Sequence, residues 1–148
     1  LMPNHYHLLV EELREGGISK FMHKFGNGYA HYFNEKYQRS GSLFEGRFRA
    51  RHAHNDEYLK YLYSYIHLNP VEHIEPAWKN SGIKNISKVK KYLQNYQHSS
   101  FPDYLKTKRP ESAILMSAQF PNYFEKKANF INEVLGWLEF QPEQPMPY

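Results

Sequence analysis

His5 and His7 stand two residues apart. On an extended chain, residues two apart project to the same side, so both imidazoles can reach one metal ion while Tyr6 turns towards the core. With nine His in the chain, about 0.5 such pairs arise by chance, and His52 and His54 repeat the spacing. Ordinary histidines are the plainer reading of either pair. Tyr65 and Asn69 are four residues apart, one turn on the same side of a helix. A tyrosine hydroxyl beside an amide oxygen fits a nucleophile next to a metal ligand. Tyr58 and Tyr61 share that side, so a tyrosine stripe packed on a sheet is the competing reading. His67, two positions from Tyr65, points elsewhere, as a surface residue or one that supports the ligands from behind.

These residues need elements to hold them. Residues 2–10, MPNHYHLLV, are apolar and β-prone after Pro3 and predict a strand. After Gly16-Gly17, the residues Ile18, Phe21, Met22, Phe25, Tyr29, Tyr32 and Phe33 recur at spacings of three and four, which predicts an amphipathic helix over 18–35. Gly26 and Gly28 weaken it by about 1 kcal/mol each relative to Ala, and close packing against a sheet would explain them. Residues 38–42 read as a loop. Over 43–54 the period is two, with Phe44, Gly46, Phe48 and Ala50 on one face and Glu45, Arg47, Arg49 and Arg51 on the other, which predicts a half-buried strand with a basic face. Asn55 or Asp56 caps a helix over 56–69 that Asn69-Pro70 ends. Residues 76–84 read as a loop, 85–96 and 122–138 as helices, and 141–148, with three prolines, as an extended tail. Strand, helix, strand, helix is an α+β pattern, and a sheet with helices on one face is its obvious packing.

The chain has 148 residues, 13 Tyr, 10 Phe and no Cys. That is one domain's length with aromatics enough for a core. The missing thiols exclude disulfides, thiolate zinc sites, iron–sulfur clusters and a cysteine nucleophile, and point to a reducing cytosol. No apolar run reaches the roughly 18–20 residues of a membrane span, so no membrane partner is expected. The formal net charge is +4, and its distribution says more than its size. Lys36, Arg39, Arg47, Arg49 and Arg51 face one acid, Glu45, between them. Lys79, Lys84, Lys88, Lys90 and Lys91 face none. Solvated surface is the plain reading of both runs, and a phosphate track is the functional one.

Taken together and in order, the motifs resemble one family. Met2-Pro3-Asn4-His5-Tyr6-His7-Leu8-Leu9-Val10 resembles the HUH motif (His, bulky hydrophobic, His) of single-tyrosine transposases, closest to the REP-associated tyrosine transposases, relatives of the smallest insertion-sequence transposases. Gly41-Ser42-Leu43-Phe44-Glu45-Gly46-Arg47-Phe48 resembles their hairpin strand, and Tyr65-Ile66-His67-Leu68-Asn69-Pro70-Val71 their nucleophile helix. Ser99-Ser100-Phe101-Pro102-Asp103-Tyr104 resembles a Ser-Ser-Tyr element found after that helix. The context selects His5 and His7 over His52 and His54, because Ala53 is not bulky. The chain departs from the pattern twice. It begins on the first motif, where members normally carry a further strand and helix, and Glu72 and His73 stand where a basic residue usually follows Asn-Pro-Val.

The resemblance implies a ferredoxin-like antiparallel sheet with helices on one face over 1–75, lacking that N-terminal strand and helix. A helical C-terminal extension over 76–140 and the tail would follow. It implies that His5, His7 and the Asn69 side-chain oxygen hold one divalent ion, Mg²⁺ or Mn²⁺ in the working enzyme, and that Tyr65 attacks a scissile phosphate. The products would be a 5′-phosphotyrosine link and a free 3′-hydroxyl. The substrate would be single-stranded DNA near a hairpin, tracked by Lys36, Arg39, Arg47, Arg49 and Arg51 and extended by Lys84, Lys88, Lys90 and Lys91. The protein would be a monomer or homodimer in the cytoplasm, at the nucleoid. Three alternatives remain: a non-cleaving hairpin-binding protein of the same fold, a metal-dependent hydrolase with water as nucleophile, and a structural domain with coincidental motifs.

Overall fold

The side chain of Asn55 accepts a hydrogen bond from the Tyr58 backbone N–H at 2.7 Å and so starts the helix on which the candidate site depends. The computed structural model describes residues 1–116 and 127–139. Its helices are α1 (Gly17–Tyr37), α2 (Asp56–Leu68), α3 (Trp78–Ser81), α4 (Ile86–Asn95), α5 (Phe101–Tyr104) and α6 (Lys127–Glu139), with 3-10 turns at Asn69–His73 and Pro110–Ile114. The expected tail at 141–148 and the first residues of the helix expected over 122–138 lie outside the described residues. No described helix is long and apolar enough to cross a membrane.

The chain forms two compact units. One comprises residues 1–8 and 53–148. In it α2 packs on α6, and α4 packs on α5 and on the 69–73 turn. Leu68, Val71, Val89, Leu93, Phe101, Phe130 and Val134 are buried between them. Asn85 caps α4 by accepting from the Lys88 N–H at 2.9 Å. Pro70 has no N–H to continue α2, and the chain tightens there into the 3-10 turn. The expected loop over 76–84 contains α3, one short turn held by buried Trp78.

The second unit comprises residues 9–52. Its helix α1 ends where Gln38 turns left-handed at φ 48° and the Arg39 N–H reaches back to the Asn34 carbonyl at 2.9 Å. Phe33, one turn further along α1, and Phe44, from the segment after the helix, both meet Tyr29, yet no residue of α1 is buried.

The expected ferredoxin-like antiparallel sheet is absent among the described residues, which hold no strand. Residues 2–10 and 43–54 carry the strand pattern, but that pattern states only which side of a chain is apolar. A strand also needs a neighbour to take its N–H and C=O groups, and a ribbon without one is marginal in water. Between 2 and 10 the backbone bond formed outside helices is a turn from the Met2 N–H to the His5 carbonyl. Residues 43–54 follow a bent, extended path in which Phe48 and Ala50 are as exposed as Arg47, Arg49 and Arg51. The glycines follow suit. A Cβ on Gly26 would lie an ordinary 3.9 Å from the Phe44 ring, and one on Gly28 would meet nothing within 4 Å, so close packing does not explain either.

Candidate active site

Helix α2 carries Tyr65 in its last turn, and the Asn69 N–H donates to the Tyr65 carbonyl as the helix closes. The two residues expected to share a face therefore do, one turn apart. Asn69 is buried, and its amide reaches the opening segment of the chain, where its Nδ2 lies 3.2 Å from His5 Nε2. Tyr96 fastens the same segment by donating its hydroxyl to the Leu1 carbonyl at 2.7 Å.

The hydrogen bonds fix the His5 tautomer. Its Nδ1 lies 2.7 Å from the Asn4 side-chain oxygen, which can only accept, so Nδ1 carries the proton. Nε2 then turns a lone pair towards Asn69. The His7 ring stands edge-on to His5, with centroids 5.0 Å apart, and edge-on to Tyr65 at 5.6 Å. His7 Nε2 is buried without a hydrogen-bond partner. Burial first, then the nearby His5 imidazole, hold the His7 pKa below its ordinary value. The pair thus converges on Tyr65 and Asn69 without a strand to align it.

Lys79 completes the cluster from α3. Its ammonium donates to Glu72 Oε2 at 3.1 Å and to Asn69 Oδ1 at 3.4 Å, and stands 5.6 Å from the centre of the Tyr65 ring. The sequence reading missed it by placing it in a surface lysine run. Its neighbour Trp78, an anchor in an otherwise polar stretch, was the one local signal.

The tyrosine stripe is also real. His54, Tyr58, Tyr61 and Tyr65 stack in succession at 5.2, 6.0 and 6.2 Å. Burial, then Tyr65 and Tyr58, push the Tyr61 hydroxyl up to about 12, and its oxygen has no partner. Of this ladder, Tyr65 is the member beside the histidines.

His67 is neither on the surface nor among the cluster. It is buried on the far side of α2, in a box of Tyr63, Phe101, Tyr104 and Phe130. Its Nδ1 donates to the Tyr63 carbonyl and its Nε2 meets Ser100 Oγ, each at 2.8 Å. Ser100, from the Ser99-Ser100 element, therefore braces α2 from beneath. Asp103 extends the brace by pairing with Arg109 and accepting from Ser112 Oγ. Burial would raise the Asp103 pKa, but those two hydrogen bonds outweigh it and hold the carboxyl below its ordinary value.

Lys36, Arg39, Arg47, Arg49 and Arg51 all lie in the 9–52 unit and are exposed. Lys36 bonds the Tyr32 hydroxyl at 3.2 Å, and the Arg39 guanidinium lies over the Phe33 ring at 5.6 Å. Cations with aromatic neighbours suit a backbone with stackable bases.

Residues 1–69 match the family model described as "Transposase IS200 like". Over those residues, just under half of its length, the chain is similar to IS200-like transposases. The matched stretch takes in His5, His7, Tyr65 and, as its last residue, Asn69, so the recognition made from the motifs stands. The likeness is to transposases, enzymes that act on DNA. No curated protein and no solved structure matches the chain.

The residues at hand suit a divalent ion. Among the described residues no group of three or more His, Cys, Asp and Glu gathers to hold a metal. The donor set here is instead two imidazoles and an amide. His5 Nε2 offers a lone pair because Asn4 holds the other nitrogen's proton, the arrangement that orients metal-binding histidines. His7 Nε2 is an orphaned buried atom. Turning the Asn69 amide over places Oδ1 where Nδ2 now faces His5.

Proposed function

We propose that the chain is a metal-dependent endonuclease and strand transferase for single-stranded DNA beside a hairpin, with Tyr65 as nucleophile. The meeting of Tyr65, His7, His5 and Asn69 in one cluster supports this reading above all else. His5, His7 and Asn69 are the proposed ligands of one Mg²⁺ or Mn²⁺. Such an ion would polarise the scissile phosphate and offset the charge that develops on it.

The protein's own part is to present the nucleophile. Tyr65 Oη forms a bond to phosphorus and gives up its proton to water. The bond from phosphorus to the 3′ oxygen breaks, and that oxygen leaves as a 3′-hydroxyl after taking a proton. The 5′ end remains as a phosphotyrosine ester. The reverse attack, by a 3′-hydroxyl, joins strands and returns the tyrosine without an external energy source. The proposed backbone track is Lys36, Arg39, Arg47, Arg49 and Arg51.

The test is a denaturing gel with end-labelled hairpin and single-stranded DNA, in Mn²⁺ and in chelator. A covalent adduct that needs the metal and vanishes in Tyr65→Phe is expected. Cleavage without an adduct that survives Tyr65→Phe would mean water is the nucleophile. Salt-sensitive binding with neither cleavage nor adduct would mean a non-cleaving binder.

A further inference from the structure

We propose that Lys79 is the phosphate anchor of this cluster, binding a non-bridging oxygen of the DNA phosphodiester that faces Tyr65. The inference rests on the reading of the cluster as a DNA-cutting site and adds a residue beyond 1–69, the stretch the family match covers. Lys79 brings its charge to the point where the other parts meet, on Asn69 Oδ1, beside Glu72 and over the Tyr65 ring. Its side chain is 29% exposed, so the ammonium is partly stripped of water yet open on one side.

Two features point to an anion. First, the amide turn that would give Asn69 Oδ1 to a divalent ion takes it from Lys79 and sets the Nδ2 donor against the ammonium, which leaves two cations facing one another without an acceptor between them. A phosphodiester resolves the conflict, because its two non-bridging oxygens offer one contact to each cation. Second, the partner that now balances Lys79 is replaceable. Glu72 is 46% exposed and can turn to water, while the lysine head is a compact charge on a flexible stem that can exchange a carboxylate for a phosphate. The short α3, pinned by buried Trp78, keeps that stem over the cluster.

The experiment measures binding of a labelled single-stranded oligonucleotide by anisotropy across a salt series. It uses the full chain carrying Tyr65→Phe, in EDTA, so neither cleavage nor metal enters. Adding Lys79→Met, with Lys79→Gln as a second variant, should weaken binding and reduce the slope of log K against log salt by about 0.7, one phosphate contact on a single strand. Lys79→Arg should restore the slope. Adduct formation in Mn²⁺ with Tyr65 intact should slow in Lys79→Met and recover in Lys79→Arg. An unchanged slope in both neutral variants overturns the proposal, as does weaker binding that Arg fails to rescue, which would mark a packing role. If the slope changes but the Tyr65 chain never forms an adduct, the cutting reading fails and the anchor stands. If adducts form at the wild-type rate in Lys79→Met, the anchor fails and the cutting reading stands. A chain that binds no DNA overturns both.

Discussion

Ser100 Oγ donates to His67 Nε2 at 2.8 Å, joining residues 33 apart beneath the helix that carries Tyr65. The direction follows from the other nitrogen, whose proton is committed to the Tyr63 carbonyl. Ser100→Ala would leave a buried ring nitrogen without a partner, at a cost of about 1–3 kcal/mol. Urea unfolding should give that loss, whereas Ser99→Ala, which removes only a local bond to the Phe101 N–H, should give less. Equal losses would mean that His67 does not depend on Ser100.

The same histidine makes stability depend on acid. Burial holds its folded pKa down to about 4, against an ordinary 6.5. Above 6.5 neither folded nor unfolded chain protonates this ring, and it adds no slope. Between 6.5 and about 4 the unfolded chain takes up a proton that the folded one cannot, so stability falls as pH falls. The loss approaches 1.4 kcal/mol per pH unit, about 3 kcal/mol across the window. Unfolding free energies of wild type and His67→Gln, measured from pH 7 to pH 4, should therefore converge as pH drops. Parallel curves would show that folding leaves the ring's affinity for a proton unchanged.

The helices were legible because a spacing of three or four and a capping residue are local facts. Asn55, Asn85 and Asn69-Pro70 mark ends that the structure keeps to within a residue or two. The cluster was legible because Tyr65 and Asn69 share a turn, so their meeting needs no tertiary information. Lys79 and the burial of His67 were not, since each depends on which distant element arrives beside it. The strands failed for the same reason. Alternation along 43–54 describes one chain, and a sheet is a relation between two.

Gly28 tests the helix without the sheet. A Cβ there meets nothing within 4 Å, and its backbone is helical. Gly28→Ala should stabilise the chain by up to about 1 kcal/mol, read as a raised Tm with α-helix content kept. A loss of stability instead would mean that another surface presses on this face of α1.

Metal affinity should track the donor set. His7→Ala removes one of the proposed ligands outright. Asn4→Ala removes only the acceptor that fixes the His5 tautomer, and a supporting partner of that kind is worth roughly 10–100-fold in affinity. Mn²⁺ titration of the DNA-free protein by calorimetry should rank wild type tightest, Asn4→Ala about that factor weaker and His7→Ala weakest. His52→Ala, from the pair with the same spacing, should match wild type. A His52 variant as weak as His7→Ala would move the site.

Tyr61 and Tyr65 stack on each other with ring centres 6.2 Å apart, yet they should differ completely in chemistry. Burial keeps the Tyr61 phenol protonated, with its pKa pushed up to about 12, and a phenol that holds its proton so tightly is a poor nucleophile at neutral pH. Tyr65 stands beside His7, with the Lys79 ammonium over its ring. In the denaturing-gel assay Tyr61→Phe should keep the covalent adduct, because the ring that packs against Tyr65 remains and only an unpaired hydroxyl is lost. It should even raise Tm slightly, since a buried polar oxygen without a partner is removed. Tyr65→Phe should lose the adduct with Tm little changed. Peptide mapping of the wild-type adduct should then find the nucleotide on Tyr65, and a nucleotide on Tyr61 would reassign the nucleophile within the ladder.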